Sequence, residues 1–131
     1  MDTKKTLVDI YGREEVFNML IKAYKLLKYT EEDAIDEANA HMFGIEDIPF
    51  WRYESLISPY GDVQILYDYS MFDLVFILKD NKLISIITVY EVVDITTEWE
   101  EDRITVLGRE ELVSLNLRDM SYKFTHGSDV A

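Results

Sequence analysis

Residues 72–93, "FDLVFILKDNKLISIITVYEVV", decide the class of fold. Two runs rich in Val, Ile, Leu and Phe flank the tetrapeptide KDNK at 79–82. β-branched and aromatic residues suit the pleated, half-buried surface of a strand, and Asp-Asn is turn chemistry. The stretch therefore predicts an antiparallel hairpin built from 72–79 and 82–93. The same composition recurs on both sides of it. "DVQILYDYS" (62–70), "RITVL" (103–107) and "LVSLNL" (112–117) read as further strands,. Short strands separated by turns, with no helical period between them, imply an antiparallel meander of four or five strands.

Before residue 62 the period changes. In "REEVFNMLIKAYKLLK" (13–28), Val16, Phe17, Leu20, Ile21, Tyr24 and Leu27 fall on one helical face,. Lys22, Lys25 and Lys28 gather toward its end, where they complement the helix dipole. Gly12 is a candidate N-cap, with Glu14 and Glu15 in the first turn. A second helix is expected over 31–43, with Thr30 and Asp33 as a weakened capping box and Gly44 as its stop signal. Ala34, Ile35, Ala38 and Met42 would form its apolar face. The short link KYT joins the two as an αα-hairpin.

The fold expected is thus α+β: two N-terminal helices, an αα-hairpin, packed on one face of a four- or five-stranded antiparallel meander sheet. One domain over 1–131 is expected. It divides into an arm (1–12), the helical hairpin (13–43), a connector (44–61) in which Pro49 and Pro59 bracket an aromatic-rich stretch, the sheet (62–120) and a C-terminal tail (121–131), in which only YKF (122–124) could pair and THGSDVA (125–131) is frayed.

A chain of 131 residues, 48% hydrophobic and 13% aromatic, can bury a substantial core and is no disordered acidic tail,. It has no cysteine, which removes disulfides and thiolate zinc sites,. No apolar run approaches the roughly 20 residues of a membrane span, and the first residues do not resemble a signal peptide. A cytoplasmic location and no membrane partner are expected.

Charge is the distinguishing property. The formal net charge is −13, beyond the magnitude of about 2–8 that keeps a small domain soluble. It is unevenly spread: residues 1–29 hold six Lys/Arg against four Asp/Glu, and residues 30–131 hold seven against 22. Such a chain repels nucleic acid and anionic membrane, which bind through cationic patches. Its natural complement is a basic protein, including one whose surface is shaped to grip nucleic acid.

Two acidic groups stand out. Glu31, Glu32, Asp33, Asp36 and Glu37 occupy the start of the second helix. Glu98, Glu100, Glu101 and Asp102 surround Trp99 in "DITTEWEEDRIT" (94–105), which reads as a turn entering a strand; a helix capped by Thr97 is the alternative. Carboxylates select Lys and Arg and accelerate encounter, while an aromatic provides a desolvated anchor. These ten residues are the candidate partner-binding set.

Chemistry is less well supported. The second acidic group lacks the alternating spacing of a calcium loop, and successive strand residues face opposite sides. His41 follows Glu37 by four residues, but a metal site wants three or four ligands. The pair reads as a histidine at the edge of a packed helix face, hydrogen-bonded to Glu37; His126 is expected in solvent. There is no nucleophile elbow, and the five glycines are isolated, so no phosphate loop exists,. No catalytic residue, cofactor or metal is expected.

"WRYESLISP" (51–59), around Glu54, Ser55 and Leu56, resembles the Glu-Ser-Ile strand of phage-type uracil-DNA glycosylase inhibitors, small acidic DNA mimics. The likeness covers that tripeptide and its surroundings. Here two helices precede the motif, whereas that family places one before and one after. The resemblance implies how an acidic sheet-and-helix domain could occupy a nucleic-acid-binding cleft. The expected function is accordingly a non-enzymatic, DNA-mimic-like inhibitor of the phage counter-defence type, directed at a nuclease, a CRISPR effector or a repair enzyme. An immunity protein or antitoxin against a basic toxin, a small Asp/Glu metal-dependent enzyme, and a structural or phage-assembly domain are the alternatives. Irregular last strands would leave an open edge that admits a homodimer.

Overall fold

The computed structural model describes residues 6–47, 54–58, 63–67 and 74–126. Three helices come first: α1 (Leu7–Tyr11), α2 (Arg13–Leu26) and α3 (Glu31–Asp47). Eight strands follow, β1 (Glu54–Ile57), β2 (Val63–Tyr67), β3 (Leu74–Lys79), β4 (Lys82–Thr88), β5 (Val92–Glu98), β6 (Arg103–Gly108), β7 (Glu111–Asn116) and β8 (Tyr122–His126). They form two four-stranded antiparallel sheets in the orders β1-β2-β3-β4 and β5-β6-β7-β8. The α+β class stands, but the single sheet of four or five strands is corrected to two sheets, and a third helix precedes the expected pair.

The burial pattern explains the layering. All of Leu74 to Leu78 on β3 is buried, which an alternating, one-sided strand could not satisfy. Leu74, Phe76 and Leu78 face one core with Leu66, Leu83, Ile86 and the helical residues Leu7, Val16, Leu20, Ala38, Met42 and Ile45. Val75 and Ile77 face a second core with Val63, Ile65, Ile87, Ile104, Val106, Val113 and Leu115. Sheet β1-β4 is therefore a middle layer, with helices on one face and sheet β5-β8 on the other. In the outer sheet β6 alternates: it buries Ile104 and Val106 while Arg103, Thr105 and Leu107 are only partly buried.

The extra sheet arises at a corner. The run 82–93 does not continue as one strand; it breaks at Val89, Tyr90 and Glu91, where Glu91 adopts φ +69°. The backbone N–H of Arg109 donates to the carbonyls of Tyr90 (3.0 Å) and Glu91 (3.1 Å). The Tyr90 N–H donates to the Glu111 carboxylate at 3.1 Å. A bend of this kind lets one chain pass from a sheet to its neighbour. Gly108 makes the corner possible: a Cβ there would stand 2.6 Å from Val89 Cβ.

Other boundaries also shift. The KDNK turn forms as read, with Asp80 and Asn81 both at positive φ, as a two-residue primed hairpin turn requires,. Helix α3 runs through Gly44 to Asp47. Ile45 is fully buried in the helical core, and that burial outweighs the roughly 1 kcal/mol helix penalty of one glycine. Ile35, assigned to the apolar face, is exposed. The arm is not irregular: Thr6 and Asp9 form a complete capping box that starts α1. Residues 54–57 of the connector pair with β2, and the strand allowed for YKF forms against β7 and extends through Thr125 to His126. The connector prolines, Trp51, residues 68–73 and 127–131 lie outside the described residues.

Candidate functional site

The two acidic groups are placed by different layers. Thr30 caps α3, accepting from the Asp33 N–H at 3.2 Å. The first turn that follows presents Glu31, Glu32 and Asp33, with Asp36 one turn on, all exposed, and Glu37 half-buried. Carboxylates belong in that position, since the helix N-terminus carries partial positive charge. On the opposite face Ala34 and Ala38 are fully buried, Ala38 in the helical core.

The second group lies at the end of the hairpin between β5 and β6. The chain passes from β5 into one 3-10 turn, Trp99–Glu101, and reverses at Asp102 in the left-handed conformation. Asp tolerates that region better than most residues, because its short side chain bonds locally. The expected turn entering a strand is what forms, with the addition that 92–98 is itself a strand. Trp99 is half-buried and packs against the core between the sheets. Glu98, Glu100 and Glu101 are exposed.

Part of this charge is answered internally. Asp102 accepts from both Arg118 Nη2 (2.9 Å) and Nε (3.2 Å), and its carbonyl accepts the Leu117 N–H at 2.7 Å. Glu101 stands 3.7 Å from Arg103. Asp102 is thus first a turn residue that ties β5–β6 to the β7–β8 connection. Asp119 in that connection accepts from the Ser121 hydroxyl at 2.6 Å and backbone N–H at 2.9 Å. Those two bonds, with Arg118 nearby, hold its carboxyl below the usual carboxylate range.

The groups sit on different layers, the first on the helical side of the middle sheet and the second on the outer sheet. Leu26 and Leu27, at the end of α2, pack against the same inter-sheet core as Trp99. Four residues of chain carry Glu31 no farther than about 14 Å from Leu27.

His41 links helices. Its Nδ1 lies 3.0 Å from the Glu37 backbone carbonyl and 2.8 Å from the Tyr24 hydroxyl. The bond to Glu37 thus goes to its carbonyl, with Tyr24 of α2 as a second partner that helical spacing alone does not reveal. Among the described residues, no three His, Asp or Glu side chains are grouped as a metal ion would need. No described helix is long and apolar enough to cross a membrane.

One exposed apolar feature was missed in the sequence. Tyr90 and Val93 are 57% and 61% exposed at the corner between the sheets, beside Glu91 and Asp94. Glu91, interrupting the apolar run, was the signal for that break. Compared with known protein families, curated proteins and solved structures, the chain matches none.

Proposed function

We propose that this protein is a non-enzymatic inhibitor that occupies a basic, nucleic-acid-binding surface of another protein. The observation that carries the reading is the exposure of the carboxylates at the start of α3 and at the β5–β6 turn, in a chain of net charge −13. Unlike a solvated charge run on a disordered tail, these groups are mounted on a capped helix and a hairpin end. Their spacing is therefore fixed before binding, which lowers the ordering cost of association. Glu31, Glu32, Asp33, Asp36, Glu37, Glu98, Glu100 and Glu101 supply charge. Trp99 seats the second group on the core and offers its accessible part as a contact, while Asp102 holds the turn. A counter-defence role, against a nuclease, a CRISPR effector or a repair enzyme, is the biological setting this chemistry suits.

Affinity capture from a host lysate, identified by mass spectrometry, tests the reading when repeated with excess duplex DNA. The expected result is a basic nucleic-acid-binding protein whose capture the DNA abolishes. A partner that holds DNA and this protein together without loss would remove the mimic reading and favour an immunity-type pairing with a toxin.

A further inference from the structure

Beyond the acidic surface, the fold encloses a cleft of opposite character. It is about 330 Å³ and lies between α2, β4 and β8, lined by Met19, Lys22, Lys25, Leu26, Ile84 and Tyr122 among others. Such a volume falls at the small end of ligand-site sizes, and a mostly apolar lining with a few polar groups is the usual make-up of such sites. The polar groups are specific. Ser85 Oγ and Tyr122 OH lie 2.5 Å apart across the two sheets, and Ser85 is only 2% exposed. Two hydroxyls bonded to each other use one proton between them, so one O–H remains to be given to a further acceptor.

The lysines make the class of acceptor definite. Lys22 and Lys25 are three apart on α2, hence on one face, and Lys22 Nζ stands 5.7 Å from the Tyr122 ring centroid. Among the described residues neither lysine forms an ion pair, although the chain holds 26 acidic residues. Two lysines with no ion-pair partner among the described residues, a hydroxyl pair with one proton to spare and an aliphatic floor line one cleft. An organic anion satisfies all three: its oxygens meet the ammoniums and the hydroxyl, and its apolar body covers Met19, Leu26 and Ile84. We propose that this cleft binds a small organic carboxylate with an apolar body, for which an aromatic carboxylate is a suitable probe. The site is independent of the acidic surface, and its failure would leave the inhibitor reading untouched.

2-Naphthoate is the probe, titrated into the full-length protein by calorimetry and by amide and side-chain NMR. The expected result is saturable 1:1 binding with shifts at Ile84, Ser85 and Tyr122. The neutral isostere 2-naphthalenemethanol should bind about tenfold more weakly, the scale of one charge-assisted hydrogen bond. Lys22→Gln with Lys25→Gln should produce a similar loss, and Lys22→Arg with Lys25→Arg should retain binding. Tyr122→Phe, which keeps the ring, should weaken 2-naphthoate more than the alcohol. Absence of saturable binding at millimolar probe, equal affinity for acid and alcohol, or undiminished binding by the double glutamine variant would overturn the proposal.

Discussion

Replacing Ile77 by alanine should test whether β3 is the shared middle of two cores. Ile77 is fully buried and faces the outer sheet, with Val75 beside it and Phe76 facing the helices. The truncation removes three carbons. At about 0.8 kcal/mol per buried methylene, the transfer loss is about 2.4 kcal/mol. A strand pinned between two layers cannot collapse into the space, so the cavity contribution should raise the total to about 3–4 kcal/mol, within the range of about 2–5 for such changes. That is a large share of the roughly 5–15 kcal/mol that holds a domain folded. With a urea slope of about 1.5–2 kcal/mol/M, the midpoint should fall by about 2 M. A Trp51→Phe background leaves Trp99 as the sole tryptophan of the two, reporting on the inter-sheet core. Far-UV circular dichroism reports on the helices. Both signals should move together, because both layers rest on the same strand. A loss below about 1 kcal/mol, typical of surface changes, or helices that persist after Trp99 is exposed, would refute the shared-strand reasoning.

Gly108→Ala should destabilise by about 1–3 kcal/mol through overpacking, because its Cβ would meet Val89 at 2.6 Å; an unchanged thermal midpoint would contradict the corner. Thr6→Ala should cost about 1 kcal/mol, the usual value of an N-cap, and Thr6→Ser should restore most of it by urea titration. Asp119 should titrate below the ordinary aspartate range by carboxyl NMR, and Ser121→Ala should move it upward. Since the folded pKa is depressed, its stabilisation is present above the unfolded pKa and is lost as pH falls through the folded one. Asp119→Asn should therefore flatten that acid limb, and a carboxyl that titrates normally would remove the effect.

The helices and the β3–β4 hairpin were legible because their signals are local. Val16, Leu20 and Tyr24 recur at helical spacing, and Asp80-Asn81 between two apolar runs is turn chemistry. The second sheet was not legible as such. Its cause is the corner at Tyr90 and Glu91, whose partners Arg109 and Glu111 lie about twenty residues away in sequence. An apolar run that changes sheets looks the same as one long strand. Strand β1 was hidden for a similar reason: Glu54–Ile57 is short, and its partner Val63–Tyr67 defines it. For the acidic groups, the sequence located the carboxylates and the turn. It could not assign Asp102 to Arg118, nor Trp99 to the inter-sheet core, because both depend on how the strands after β6 fold back, β7 beside β6 and β8 beside β7.

On the proposed function, the acidic surface steers this protein onto a basic partner. The most direct measurement of that steering is the association rate constant with the captured partner as a function of ionic strength, for the natural sequence and for the Glu100→Lys, Glu101→Lys variant. Attraction between exposed charges is largely screened beyond about 8 Å at 0.15 M salt. The account expects a rate that falls steeply as salt rises, and a variant that is slower at low salt by about tenfold or more, as charge-steered encounters show. A rate that is independent of salt and identical in the variant would contradict it, and would return residues 98–102 to the role of a solvated turn.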